Sequence, residues 1–172
     1  MAHHQVSEFI PLNIAVLTVS DTRSEETDTS GHLLVEKLKA EGHRLSDKCI
    51  VKDDIYKIRE VLSRWIASKN TQAVLITGGT GFSGRDSTPE AVLPLFDKVV
   101  DGYGELFRQL SFEQIGTSTI QSRAVAGLAN GTIVFVMPGS NNACNTAWDG
   151  IIRQQLDSRH RPCNFVEQLK KV

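Results

Sequence analysis

Hydrophobic and polar positions divide the chain into segments of two periods. NIAVLTV, Asn13 to Val19, is β-branched and apolar with little alternation, the pattern of a strand covered on both faces in a parallel sheet. It ends in the polar run SDTRSEETDTSG, after which Leu33, Leu34 and Leu38 recur at helical spacing between His32 and Ala40, with Ser30 as cap and Gly42 as stop. LSDKCIV reads as a weaker strand closing at Lys52, Asp53 and Asp54. Ile55, Ile58, Leu62, Trp65 and Ile66 then mark one face of a second helix, which Asp53 or Asp54 can begin as a cap. Ala73 to Thr77 is a third strand, short and buried. Ser87-Thr88-Pro89-Glu90 joins a capping-box pattern to a proline at the helix start, and Ala91, Leu95 and Phe96 continue that helix.

This alternation predicts an α/β fold: a three-layer, doubly wound, mostly parallel sheet with helices on both faces. Ligands in such sheets bind beyond the carboxyl ends of the strands, where the polar segments gather. A further helical stretch carries Glu105, Phe107 and Leu110 after GYG. Ala124 to Ala129 and Thr132 to Met137, separated by Asn130-Gly131, predict a hairpin or two neighbouring strands. Pro138-Gly139-Ser140 leads into a last helix with Trp148, Ile151, Ile152 and Leu156, and DSRHRPCNFVEQLKKV reads as an irregular arm. With no repeat or linker, residues 1–172 read as one domain, large enough to bury a core without disulfides or structural metal.

Composition narrows the partners. Nineteen basic against twenty acidic residues give a net charge of −1, so no global basic field invites nucleic acid or an anionic membrane, and an anionic ligand must be met locally. The start MAHHQVSEFIPLN lacks a signal-peptide pattern, and no segment approaches the roughly 20 apolar residues of a membrane span. The expectation is a cytoplasmic protein. Cys49, Cys144 and Cys163 lack CxxC spacing and read as ordinary reduced thiols, and His3 and His4 as a solvated tail.

Candidate chemistry centres on VLITGGTGFSGRDSTPE, Val74 to Glu90. Gly79, Gly81 and Gly84 satisfy GxGxxG, but the helix starts only near Pro89 and no acidic residue follows a clear strand about 20 residues on, as a dinucleotide fingerprint requires. A Walker A loop is excluded by the absence of GKT or GKS. Two readings stay open: a turn that only joins strand to helix, and an anion pocket built from the backbone N–H groups of Gly78 to Gly81. Asp86 beside phosphate oxygens repels them unless a divalent cation intervenes, and Asp53 stands at the same sheet edge, so the pair suggests magnesium-assisted chemistry on a nucleotide triphosphate. Either aspartate alone also reads as a helix cap. Arg85 or Lys52 is the candidate cation.

TGGTG followed by RDSTPEA, with TVSDTR, DTSGHLL, GYGELFRQLS, SRAVAG and VMPGS in order, resembles the molybdenum cofactor biosynthesis family of MogA, MoaB and the gephyrin G domain, over nearly the whole chain. FIPLNIAVLTVS, SFEQIGTSTIQSRAVAG and the RPCNF tail are most like the MoaB branch. The resemblance implies a molybdopterin-binding fold and, in adenylyltransferase members, activation of molybdopterin by ATP with release of pyrophosphate. It implies catalytic, magnesium-linked roles for Asp86 and Asp53, the latter being a position that can be glutamate in MoaB. It carries ligand contacts onto Thr77, Gly78, Gly79, Thr80, Gly81, Glu105, Ser122, Arg123, Pro138, Gly139 and Ser140. Tyr103 replaces the usual phenylalanine of the GFGE-like segment. The resemblance further implies a homotrimer, or a hexamer of two trimers, with exposed apolar surface on the last helix or GYGELFRQL supplying contacts.

Overall fold

The computed structural model describes residues 8–172, so His3 and His4 lie outside it. Its strands are β1 (Asn13–Val19), β2 (Arg44–Val51), β3 (Ala73–Thr77), β4 (Lys98–Val99), β5 (Val125–Ala129) and β6 (Thr132–Met137). They form one sheet in the order β2-β1-β3-β6-β5-β4. The β2, β1, β3 and β6 neighbours pair in parallel, whereas β5 runs antiparallel to both β6 and β4. The doubly wound, mostly parallel sheet expected from the alternation is the one observed. β4, only two exposed residues long, is too short to leave a periodic trace and was not anticipated.

Alternate residues of each buried strand face opposite layers, as the strand period of two requires. Ile14, Val16, Leu75, Ile133 and Phe135 pack with Leu34 and Leu38 of α1 (Thr29–Ala40), Phe107 of α4 (Asp101–Ile115), and Cys144 and Trp148. Ala15, Leu17, Val74, Ile76, Val134 and Val136 pack with Ile58, Leu62 and Trp65 of α2 (Ile55–Ala67) and Ala91 and Val92 of α3 (Thr88–Val92). The last helix begins as α5 (Asn141–Ala147) and runs through a π-turn, Trp148–Ile152, into α6 (Arg153–Gln155).

Several local expectations fail where tertiary bonds override local ones. α1 is capped by Asp28, not Ser30: the fully buried Asp28 accepts from the Gly31 amide while also taking the Thr18 hydroxyl and Lys48. α2 is capped by Asp54, which accepts from the Tyr56 and Lys57 amides, leaving Asp53 free for another task. α3 ends at Val92, because Pro94 cannot donate to a preceding turn and the Glu90 and Ala91 carbonyls are taken by Arg59; Leu93–Leu95 tightens to a 3-10 turn. The capping box at Ser87 does not form. Its hydroxyl donates to Asp53, and Glu90 pairs with Arg123. The C-terminal arm lies back on the core through Leu169, and the Lys170 amide donates to the Gly131 carbonyl.

Candidate functional site

β1 and β3 are adjacent, and the chain leaves them in opposite directions along the sheet, β1 towards β2 and β3 towards the far edge. Such a switch point opens a crevice beyond the strand ends. Four segments converge there: Ser20 to Asp28 after β1, Lys52–Asp53 after β2, Gly78 to Ser87 after β3, and Pro138–Ser140 after β6.

The glycine loop is held to a geometry that only glycine fits at two points. Gly78 has φ +105°, and a Cβ there would stand 2.2 Å from the Val19 carbonyl oxygen. Gly79 has φ +67°, and its Cβ would meet the Thr88 hydroxyl at 2.3 Å and Asp53 Oδ2 at 2.7 Å. Both positions are left-handed and also too crowded for a side chain.

The loop's carbonyls all turn into the protein. Thr88 donates its hydroxyl to Gly78 O at 2.8 Å and its amide to Gly79 O at 3.0 Å. Arg123 donates its amide and Nε to Thr80 O, each at 3.2 Å, and Nη2 to Gly81 O at 2.7 Å, while its guanidinium also covers Phe82 and pairs with Glu90. Arg123 is thus engaged in orienting the loop. On the amide side, Gly78 N donates to Met137 O, which removes it from the anticipated set of anion donors. The amides of Gly79, Thr80 and Gly81 have no protein acceptor among the described residues. Three successive N–H groups without a protein acceptor, beside engaged carbonyls, have the geometry of a nest that suits an anion.

The two aspartates flank this nest. Asp53 is 8 % exposed, and its Oδ1 accepts from the Ser87 amide at 3.0 Å and the Ser87 hydroxyl at 2.6 Å. Burial holds its carboxyl above the usual carboxylate range, against those two donors, and the neighbouring charges of Asp86 and Asp21 push the same way. Asp86 is half-buried; its Oδ2 accepts from the Ser83 amide at 2.9 Å and lies beside Gly81. Neither aspartate caps a helix: Asp54 stands at the start of α2 and Ser87 at the start of α3. Asp53 Oδ2 and Asp86 Oδ1 have no protein donor among the described residues. No group of three or more metal-ligating side chains converges among those residues, so an all-protein cage is absent. Two carboxylates, each with one unengaged oxygen, do fit magnesium, which takes few protein ligands and shares the rest with phosphate and water. Excess negative charge around Asp53 fits a cation as well.

The other candidates fall into two sets. Thr77 donates its hydroxyl to the Pro138 carbonyl at 3.1 Å, fastening the glycine loop to the late loop, and Gly139 packs on Gly78. Ser140 caps α5 through the Ala143 amide. Ser122 is half-buried, and its carbonyl receives Arg108. Glu105 stands exposed on α4 with no hydrogen bond to the loop. Arg85, a candidate cation, is paired with both oxygens of Asp21, and Lys52 is exposed. Asp21 and Asp28 carry bonds at this edge that sequence reasoning missed. Both lie in TVSDTR and DTSGHLL, where their position after a buried strand was the available signal.

Residues 15–158 match a family model described as "Probable molybdopterin binding domain". The chain is 62 % identical over 168 residues to molybdenum cofactor biosynthesis protein B of Escherichia coli (strain K12), covering 97 % of this chain and 99 % of that protein. A crystal structure of a molybdenum cofactor biosynthesis protein B superposes with a TM-score of 0.83 at 42 % identity, over 86 % of this chain and 92 % of the other. The tungsten cofactor synthesizing protein MoaB from Pyrococcus furiosus superposes with a TM-score of 0.74 at 38 % identity, over 82 % and 90 %. No helix among the described residues is long and apolar enough to cross a membrane. A match of this extent, on a crevice whose loop carries the TGGTG and RDSTPE motifs, makes the chain a member of the MoaB/MogA family of molybdenum cofactor biosynthesis proteins.

Proposed function

We propose that the protein acts in molybdenum cofactor biosynthesis by transferring an adenylyl group from ATP to molybdopterin. The observation that carries this reading is the nest at Gly79, Thr80 and Gly81, whose unpaired amides suit phosphate oxygens. A terminal phosphate oxygen of molybdopterin forms a bond to the α-phosphorus of ATP; the bond from that phosphorus to the bridging oxygen breaks, and pyrophosphate leaves with its electrons. The attacking monoester is ionised at neutral pH, so no general base is needed, and the site's work is alignment and charge neutralisation. Asp53 and Asp86 would hold magnesium, which supplies neutralisation of the polyphosphate charge when bound. Arg123 and Thr88 act on the other side of the loop, holding its carbonyls away from the ligand.

The test is pyrophosphate release with ATP and magnesium, with molybdopterin present and absent. Release that depends on molybdopterin is the expected result. Saturable binding of both ligands without release would replace the reading with a carrier or scaffold role in the same pathway.

Assembly as a trimer, or a hexamer of two trimers, belongs to the same proposal. It is supported by exposed Leu106, Phe112 and Ile115 on α4 and Ile120 just beyond. The last helix offers no such surface, since Ile151, Ile152 and Leu156 are buried. Light scattering showing a monomer at micromolar concentration would overturn it.

A further inference from the structure

We propose that Asp21 is a positioning residue for the Asp53–Asp86 pair, closing a ring of bonds across three strand ends. The inference rests on the adenylyl-transfer reading. Asp21 follows β1. Its Oδ1 accepts from the Asp53 amide at 3.1 Å and from Arg85 Nη2 at 2.9 Å, and its Oδ2 accepts from Arg85 Nε at 2.9 Å. Asp53, after β2, takes the amide and hydroxyl of Ser87 on its own carboxylate. Arg85 and Ser87 stand on either side of Asp86 in the loop after β3. The ring therefore runs from Asp21 to Asp53, to Ser87, through Asp86 to Arg85, and back to Asp21.

Asp86 is clamped by both chain neighbours to the two other loops. Arg123 holds the two ends of this segment, over the Phe82 ring and through the Asp86 carbonyl at 3.2 Å, but between them Ser83 to Arg85 is exposed, contains Gly84 and is otherwise tied only by the bonds between Ser83 and Asp86 and by the Arg85 anchor. Together with the Arg123 bond to the Asp86 carbonyl, the ring sets where Asp86 sits relative to Asp53, on which sharing one cation depends.

The Asp21–Arg85 pair is solvent-exposed, with side chains 37 % and 63 % accessible, so it adds little to global stability. Its two-pronged geometry instead specifies orientation. Arg85 offsets part of the charge of Asp21, which lessens the repulsion that a third carboxylate adds near phosphate.

Asp21→Ala cuts both arms of the ring, Arg85→Ala only one. The expected result is a fall in kcat of about 10-fold to 100-fold for Asp21→Ala, the scale of a misplaced catalytic geometry, with KM for molybdopterin changed by less than about twofold. Arg85→Ala should lose less, and the double variant no more than Asp21→Ala, because the two residues act as one unit. Amide hydrogen exchange without ligands supplies an independent reading: residues 82–88 should exchange about tenfold faster in Asp21→Ala while β1, β3 and β6 keep their protection. Unchanged exchange in a folded Asp21→Ala overturns the ring. Faster exchange with unchanged kcat overturns the positioning role. Failure of the unsubstituted protein to release pyrophosphate overturns the adenylyl reading instead; the ring is then judged by exchange and by magnesium-ATP affinity, and its role at the site falls if Asp21→Ala binds as tightly as the unsubstituted protein.

Discussion

Two turns in this molecule leave buried strands, contain glycine and use positive φ, yet they are built to opposite ends. The hairpin between β5 and β6 turns at Asn130, φ 48°, and Gly131, φ 68°, the left-handed pair that matches strand twist. Three of its polar groups are engaged by the rest of the chain: the Asn130 amide donates to Asp97, the Asn130 side chain to the Ile66 carbonyl, and the Gly131 carbonyl takes the Lys170 amide. The loop after β3 also engages its carbonyls, through Thr88 and Arg123, but leaves three successive amides unpaired. The hairpin leaves the isolated Gly131 amide without a protein acceptor among the described residues, whereas the candidate binding loop holds three successive amides in reserve on one side. Glycine content alone does not distinguish the two; the direction of the peptide units does.

The largest expected effect separates chemistry from architecture. Asp86→Asn keeps shape but removes charge, and should lower adenylyl transfer by about 10²–10³-fold, the scale of losing one preorganised electrostatic contact, in a pyrophosphate-release assay. Asp53→Asn should lose less, because an amide oxygen can still accept from Ser87. Near-normal turnover in Asp86→Asn would reduce the loop's flank to a structural feature like the hairpin.

Gly131→Ala sharpens the contrast from the other side. A left-handed alanine costs roughly 1–2 kcal/mol. The added Cβ would also stand 2.9 Å from the Lys170 nitrogen. Thermal unfolding should shift down by several degrees, about 2–4 °C per kcal/mol at this size, with ligand affinity unchanged. Weakened ligand binding in this variant would show that the two turns are not functionally distinct.

A pH-dependent effect lies in the core. His43 is 4 % exposed; its Nδ1 accepts from the Leu12 amide, and its Nε2 has no partner. Burial pushes its pKa down from 6.5 to about 4. The unfolded chain therefore takes up this proton first, and stability should fall as pH drops from about 6.5 towards about 4. His43→Gln should flatten that part of the stability curve in denaturant titrations.

Much of the fold was legible because periodicity reports burial. NIAVLTV and AVLIT are buried on both faces, and the Ile58, Leu62 and Trp65 face of α2 packs as its spacing requires. Caps were less legible, since Asp28 and Ser87 answer to Thr18 and Asp53, which are distant in sequence. The candidate site was legible as a motif, with Asp53 and Asp86 brought to the same strand ends as the glycine loop. The division of labour within it was not. That Gly78 N is occupied, that Arg123 orients carbonyls, and that Asp21 ties the loops together all depend on bonds between strand ends, which no local pattern records.

The central claim is that the loop after β3 is a phosphate cradle, and calorimetric titration of Gly79→Val with magnesium-ATP tests it most directly. A β-branched residue at φ +67°, with its Cβ 2.3 Å from the Thr88 hydroxyl, must displace the nest. Strain of about 1–3 kcal/mol predicts binding weaker by roughly 10-fold to 100-fold, in a variant whose circular dichroism matches the unsubstituted protein. A folded Gly79→Val that binds magnesium-ATP with undiminished affinity would contradict the account, leaving the loop a connector like the Asn130–Gly131 turn.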